Sequence, residues 1–257
     1  MTWHPVRGTL VEKDNDMIQA VIFDLGGTLL EFNPRHVPWL EWEGAGLERA
    51  CQYLIEQGYA LSQEAFVSHV IHGLPERWEC AAQGGDNLRL GDIVREACAA
   101  LGAAPDDDEI EEAIARYIAP LDQGVVIFDD TLDTLRALRA RGLKLGLVSN
   151  TMWPARYHQD ELERFGMAPY LDHTVFSADA GVWKPQPGIY FLSLDALGVD
   201  AAEALFVGDM PQHDIVGAQG VGMRGVYKQN RAFVPDGVHP DAVIARLGEL
   251  LPLVERW

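Results

Sequence analysis

The chain has 257 residues, 48% of them apolar, and a formal net charge of −19 from 39 acidic and 20 basic side chains. That length fits one α/β core of ordinary size with a smaller second unit beside it. Its acidity argues against a nucleic-acid partner, because a phosphate backbone is gripped by a basic face.

No window has the uninterrupted apolar length of a membrane span. Glu12, Asp14 and Asp16 stand where a secretory signal carries basic and then apolar residues, so a cytoplasmic protein with no membrane partner is expected. Cys51, Cys80 and Cys98 form an odd set without paired spacing and read as free thiols, with neither a disulfide framework nor a zinc site.

Residues 1–16 lack periodicity and read as a loose N-terminal extension, with Met17 serving equally well as a start. The apolar run 18–23, followed by Asp24 and the turn residues Gly26, Gly27 and Thr28, predicts a buried parallel strand with Asp24 at its C-terminal tip. Residues 29–33, ended by Pro34, predict a short hairpin or flap leading out of the core. The period then becomes helical. Leu47, Ala50, Cys51, Leu54 and Ile55 share one face, and Gly58 supplies the stop. A second helix starts after Ser62 as N-cap and carries Phe66, Val70 and Ile71; residues 84–87 (GGDN) mark a loop. A third runs from Leu90 through Ile93, Val94 and Ala97 to Leu101. The fourth begins at Pro105, with Ile110, Ala113, Ile114, Tyr117 and Ile118 as its apolar stripe. The acids at 106–109 fall on its first turn, where negative charge complements the helix dipole, and read as a solvated helix start rather than a metal site.

From Asp130 helices and strands alternate. A helix through Leu132, Leu135 and Leu138 precedes a strand over 143–148. Then come a helix over 155–165, a strand near 174–176, a helix over 185–197, a strand over 204–207, a helix over 215–221, a strand over 224–227 and a closing helix over 241–251. Such alternation predicts a parallel sheet with right-handed crossovers and helices on both faces. The α/β core thus comprises 17–34 and 125–257, with an all-α unit at 35–124 inserted in it.

Four sets of polar residues fall at strand tips or helix starts, where open α/β sheets bind ligands. Asp24 costs desolvation unless a cation or donors meet it, although Asp before glycine is also a common turn. Ser149 and Asn150 end the strand 143–148, Lys184 precedes Pro185, and the stretch 208–214 (GDMPQHD) follows the strand 204–207. Singly, Ser149 reads as a helix cap, Lys184 as a surface lysine, and Asp209 and Asp214 as loop acids.

Together and in this order they resemble the four motifs of the haloacid dehalogenase superfamily, over residues 18 to about 228. The resemblance implies a Rossmann-like core with a helical cap over the crevice, and a Mg²⁺-dependent hydrolase that removes phosphate from a small phosphorylated metabolite. Asp24 would be the nucleophile, forming an aspartyl phosphate that water hydrolyses. Ser149, Asn150 and Lys184 would bind the phosphate, with Ser149 and Lys184 holding its transferring oxygens. Mg²⁺ would be held by Asp24, the carbonyl of Gly26 and Asp209, with Asp214 a ligand or an anchor for water and Lys184. Hard carboxylate oxygens, without histidine or cysteine at matching spacing, suit Mg²⁺ better than zinc or copper. A monomer or a homodimer is expected.

Gly26 departs from the family pattern, which carries a second carboxylate at that position. Its loss removes the group that protonates the leaving oxygen, worth ~10² to 10⁴ in rate, and implies slower turnover or a substitute such as His36 or an ordered water. Gly26 also leaves open a phosphate-binding protein of the same fold without fast chemistry, and a 2-haloacid dehalogenase, which needs neither the second carboxylate nor a metal. Trp39, Trp42, Arg77 and Trp78 read as cap core or rim, and Met152 and Trp153 as better placed to meet a substrate. His69, His72 and His158 lie within helical patterns and read as packing or surface residues.

Overall fold

The computed structural model describes residues 17–230 and 237–257, so the extension over 1–16 lies outside the described residues. The run AVIF forms β1 (Ala20–Phe23), every residue of it buried, as a strand covered on both faces requires. β2 (Leu30–Glu31) follows the motif-bearing turn. The helical region contains α1 (Trp39–Glu56), α2 (Gln63–Ala82), α3 (Leu90–Ala100) and α4 (Asp107–Asp122). Ser62 caps α2, its Oγ accepting from Ala65 N at 3.3 Å. Asp106 and Glu109 form a reciprocal capping box at the start of α4, so the acidic run is a helix start as expected. β3 (Val126–Ile127) returns the chain and pairs antiparallel with β2. The expected hairpin at 29–33 is therefore half of a two-strand ribbon whose other half lies about a hundred residues downstream.

The remainder is α5 (Thr131–Ala140), β4 (Lys144–Ser149), α6 (Ala155–Arg164), β5 (His173–Phe176), α7 (Ser177–Ala180), α8 (Pro187–Leu197), β6 (Ala204–Gly208), α9 (Val216–Gly220), β7 (Arg224–Lys228), β8 (Ala242–Ile244) and α10 (Leu250–Arg256). The helix expected from 215 is preceded by a π turn at Pro211–Ile215, and α8 starts two residues after Pro185. The closing helix expected over 241–251 is corrected. Residues 242–244 pair parallel with β7 as an edge strand, and helix resumes with a 3₁₀ turn at Leu247–Glu249 that leads into the α-helix at 250. DAVIARL carries apolar residues at both periods, and the unpaired edge of β7 decides between them. Asp241 helps seat the strand, its Oδ2 accepting from Gly225 N at 2.7 Å.

The six-stranded parallel sheet runs β5-β4-β1-β6-β7-β8. Alternate β1 residues face opposite layers: Val21 and Phe23 join the cluster under α5, α6 and α10, while Ala20 and Ile22 join the one under α8. The helical region has a core of its own, which also takes in Met152, Trp153 and Trp183 from loops of the sheet region. The chain leaves β1 first to β4 and β5, then crosses back to β6, β7 and β8, so β1 marks the switch point of the topology. No described helix is long and apolar enough to cross a membrane, and all three cysteines are free thiols.

Candidate active site

Phe23 pairs with Leu147 on one side and Val207 on the other. Asp24, Ser149 and Asp209 lie one or two residues beyond those partners and so reach the same edge of the sheet. Asp24 is anchored there by its own N–H, which donates to Val207 O at 2.9 Å. Carboxylate oxygens of Asp24, Asp209 and Asp214 lie within 4.8 Å of one another, and all three residues are buried.

Lys184, 2% exposed, enters this cluster from the loop before α8. Its Nζ donates to Asp24 Oδ1 at 2.6 Å and to Asp214 Oδ1 at 2.7 Å. Burial alone would depress the ammonium, but the Asp214 and Asp24 carboxylates outweigh it and hold its pKa above the ordinary lysine value. Burial pushes the Asp24 carboxyl up to about 6, against the pull of Lys184 and with the help of Asp214. Thr28 Oγ1 donates to the other Asp24 oxygen at 3.2 Å, and Met210 N donates to Asp214 Oδ2 at 2.8 Å.

Asn150 ties two loops together. Its Oδ1 accepts from Lys184 N at 2.7 Å and its Nδ2 donates to Lys184 O at 2.8 Å. The turn after Asp24 is shaped around the acids. An ideal Cβ on Gly27, whose φ is +81°, would overlap Asp209 Oδ2, and one on Gly208 would overlap the Asp214 carboxylate. Three buried carboxylates, packed against two glycines whose positions leave no room for a Cβ, offer oxygen donors and fit a hard divalent cation.

The structure thus brings together Asp24, Asn150, Lys184, Asp209 and Asp214, and puts buried Ser149 at the same sheet edge. Gly26 lies in the turn, where an ideal Cβ would sit 3.2 and 3.4 Å from ring atoms of Phe32. His36 is exposed on the connection to α1, with φ of +52°. His69 and His72 are exposed, while Arg77 pairs outward with Glu96.

Above the crevice the helical region contributes aromatic rings. Trp42 stacks on Trp153 at 6.3 Å, Phe32 meets Trp153 edge-on, and Trp78 meets Trp183 edge-on at 4.9 Å. The helical region is fastened here by Leu90 N to Met152 O (2.8 Å), Asn87 Nδ2 and Arg89 Nε to Ala178 O (2.8 and 2.9 Å), and Trp183 Nε1 to Asn87 Oδ1 (2.8 Å). Among these rings Glu43 is buried and accepts from the Tyr117 hydroxyl; burial pushes its carboxyl up to about 8.

Some residues at the site escaped the sequence reading. His213, inside the fourth motif, lies 3.4 Å from Asn150 Nδ2, and burial and then Lys184 hold its pKa below the ordinary histidine value. Lys228, buried at the tip of β7, donates to Gly27 O at 3.2 Å and sits 3.7 Å from the Phe128 ring centroid. Burial lowers its pKa against the opposing pull of Asp209, Asp130 and Glu31. A lysine ending a buried strand, in a chain with few lysines, was the signal available for it.

A parallel sheet carrying an acid cluster and buried lysines at its switch point, with an inserted helical region, places the chain in the class of cap-bearing α/β proteins. The chain belongs to the haloacid dehalogenase-like hydrolases, whose family model matches residues 18–222. It is 33% identical to a phosphoglycolate phosphatase of Yersinia pseudotuberculosis over 245 residues, covering 92% of this chain and 93% of that one. It is 30% identical to a glyceraldehyde 3-phosphate phosphatase of Methanopyrus kandleri over 246 residues, covering 93% and 97%. Among solved structures it is similar to a 2-haloacid dehalogenase from Pseudomonas syringae (TM-score 0.67, 28% identity, covering 94% of this chain and 100% of that one).

Proposed function

We propose that the protein is a Mg²⁺-dependent phosphatase acting on a small phosphorylated metabolite, with Asp24 as nucleophile. The observation that carries this reading is the Lys184 ammonium bridging Asp24 and Asp214 while Asp209 joins the same cluster. Relatives named for phosphoglycolate and glyceraldehyde 3-phosphate support the substrate class. The reading takes 17–34 and 125–257 as the catalytic unit and 35–124 as its cap.

Asp24, the carbonyl of Gly26, Asp209 and Asp214 would hold Mg²⁺. When bound, the ion supplies positive charge that lets a phosphate dianion approach an acidic crevice. Lys184 and Thr28 each hold one Asp24 oxygen, which fixes the rotamer of the carboxylate before substrate arrives. In the first step an Asp24 oxygen attacks phosphorus in line, the bond from phosphorus to the ester oxygen breaks, and that oxygen takes a proton from solvent water as it leaves as the alcohol. In the second, water attacks the same phosphorus, releasing phosphate and regenerating the carboxylate. Ser149, the N–H groups of the turns after Asp24 and Ser149, and Lys184 hold the transferring oxygens. Position 26 is a glycine, so no carboxylate from there protonates the leaving oxygen.

A 2-haloacid dehalogenase gains some support from Gly26 and from the Pseudomonas structure. The three-carboxylate cluster weighs against it, because that chemistry uses no metal. A panel of small phosphate esters and 2-haloacids, run with Mg²⁺ and with EDTA on wild type and Asp24→Asn, tests both readings. Mg²⁺-dependent phosphate release abolished by Asp24→Asn is expected. Metal-independent halide release would replace the reading, and tight binding of phosphate and Mg²⁺ without turnover would reduce the protein to a binding role.

A further inference from the structure

We infer that His158, held by Glu161, is a positioning residue for the phosphate-binding turn at 149–153, acting through the Thr151 hydroxyl. The inference rests on the phosphatase reading and extends it to residues outside the four motifs.

His158 lies on α6, and its ring is 3% exposed. Trp153 stacks on it at 5.3 Å and 5°, Phe176 stacks on it at 5.0 Å and 20°, and Phe32 lies nearly perpendicular to it at 5.9 Å. Packing alone would be met by a phenylalanine. Burying an imidazole and a carboxylate instead costs desolvation, which only their hydrogen bonds offset.

Those bonds lead to the site. Nδ1 lies 2.7 Å from Glu161 Oε2 and Nε2 lies 2.8 Å from Thr151 Oγ1. A carboxylate accepts, so Nδ1 carries a proton toward Glu161, and in that tautomer of the neutral ring Nε2 accepts from the Thr151 hydroxyl. The lone pairs of that hydroxyl then face the N–H of Trp153, at 3.0 Å. The Thr151 backbone is held as well, its N–H donating to Ser177 Oγ at 2.8 Å and its carbonyl accepting from the same hydroxyl at 3.0 Å. Thr151 directly follows Ser149 and Asn150, and Asn150 is in turn bonded to both backbone groups of Lys184. Glu161 and His158 therefore fix, through one hydroxyl, the turn on which the phosphate-binding groups sit.

The test is a double-mutant cycle of Thr151→Val and His158→Phe, read by kcat, by inorganic phosphate affinity with Mg²⁺ present, and by Mg²⁺ affinity. His158→Phe keeps the stack and removes the bond, and Thr151→Val keeps the volume. Each single variant should lose about 10- to 100-fold in kcat, the scale of a displaced positioning group. Phosphate affinity should fall in parallel while Mg²⁺ affinity changes by less than about twofold, and the double variant should be no worse than the poorer single. His158→Gln, which keeps an acceptor for the hydroxyl, should recover part of the loss. Singles that keep wild-type kcat and phosphate affinity, or a double whose loss is the product of the two, would overturn the inference. If His158→Phe does not fold, Thr151→Val and His158→Gln still decide it. A wild type that neither releases nor binds phosphate would defeat the phosphatase reading and this inference together. An active wild type with indifferent variants would defeat this inference alone.

Discussion

Replacing Lys184 by methionine removes the ammonium but keeps most of the stem. It leaves the Asp24 and Asp214 carboxylates buried beside Asp209 with no cation at 2.6 and 2.7 Å. Breaking a buried pair by deleting one partner costs about 3 to 5 kcal/mol. Asp24 already sits at about 6 and can take up a proton when the ammonium goes, which places the loss near the lower figure. For a chain of this size about 3 kcal/mol corresponds to a fall of roughly 6 to 12 °C in Tm. Saturating Mg²⁺ offers the acids a replacement cation and should return about 2.7 kcal/mol at a hundred times its Kd. Thermal unfolding followed by circular dichroism, in EDTA and in Mg²⁺, reads both effects, and turnover should fall about 10² to 10³-fold even where Mg²⁺ restores stability. A variant as stable as wild type in EDTA, or one that Mg²⁺ does not rescue, would refute the reasoning that Lys184 balances the buried acids.

Three further outcomes follow from the same geometry. Because Asp24 is raised from 3.8 to about 6, its contribution to the stability of the metal-free protein is fully present below pH 3.8 and lost as pH rises through about 6. Urea unfolding of wild type against Asp24→Asn across that window should show a steeper decline in wild type, on top of the fall that buried Glu43 gives to both, and parallel curves would contradict the burial of the Asp24 carboxyl. Gly26→Asp requires the Phe32 ring to yield by a few tenths of an ångström, so it should lose about 1 kcal/mol and gain little activity alone. Combined with Phe32→Ala it should turn over faster than either single, and a fully active, undestabilised Gly26→Asp would show that Phe32 is no obstacle. Gly27→Ala drives a Cβ into Asp209 at a positive φ, so calorimetry should find Mg²⁺ affinity lowered at least about tenfold, and unchanged affinity would remove Asp209 from the ion's ligands.

Much of the fold was legible because its signals are local. The four helices between β2 and β3 announce themselves through stripes such as Ile110, Ile114 and Tyr117, through the cap Ser62, and through the acidic first turn at 106–109. The strands leading to Asp24, Ser149 and Asp209 are apolar along their buried lengths, with only Lys144 exposed at the start of β4, as burial on both faces demands. What failed was decided by partners distant in sequence. Residues 242–244 become a strand because β7 offers an open edge, and β2 finds β3 rather than folding on itself. The cluster at Asp24 was readable as ordered motifs, but the groups that set its charge and shape were not. Lys228 matters through a carbonyl two hundred positions away, and Phe32 through the space beside Gly26. His158 fitted the expectation of a packed helical residue; its bond to Thr151 depends on how α6 turns back over β4.

Mass analysis of Asp24 itself tests the chemistry most directly. Acid-quenched protein that has been turning over an activated phosphate ester with Mg²⁺ should carry one phosphoryl group on the peptide containing residue 24. Hydroxylamine should strip the label, and Asp24→Asn should never acquire it. A label found elsewhere, or phosphate released at full rate by Asp24→Asn, would contradict nucleophilic attack by this carboxylate.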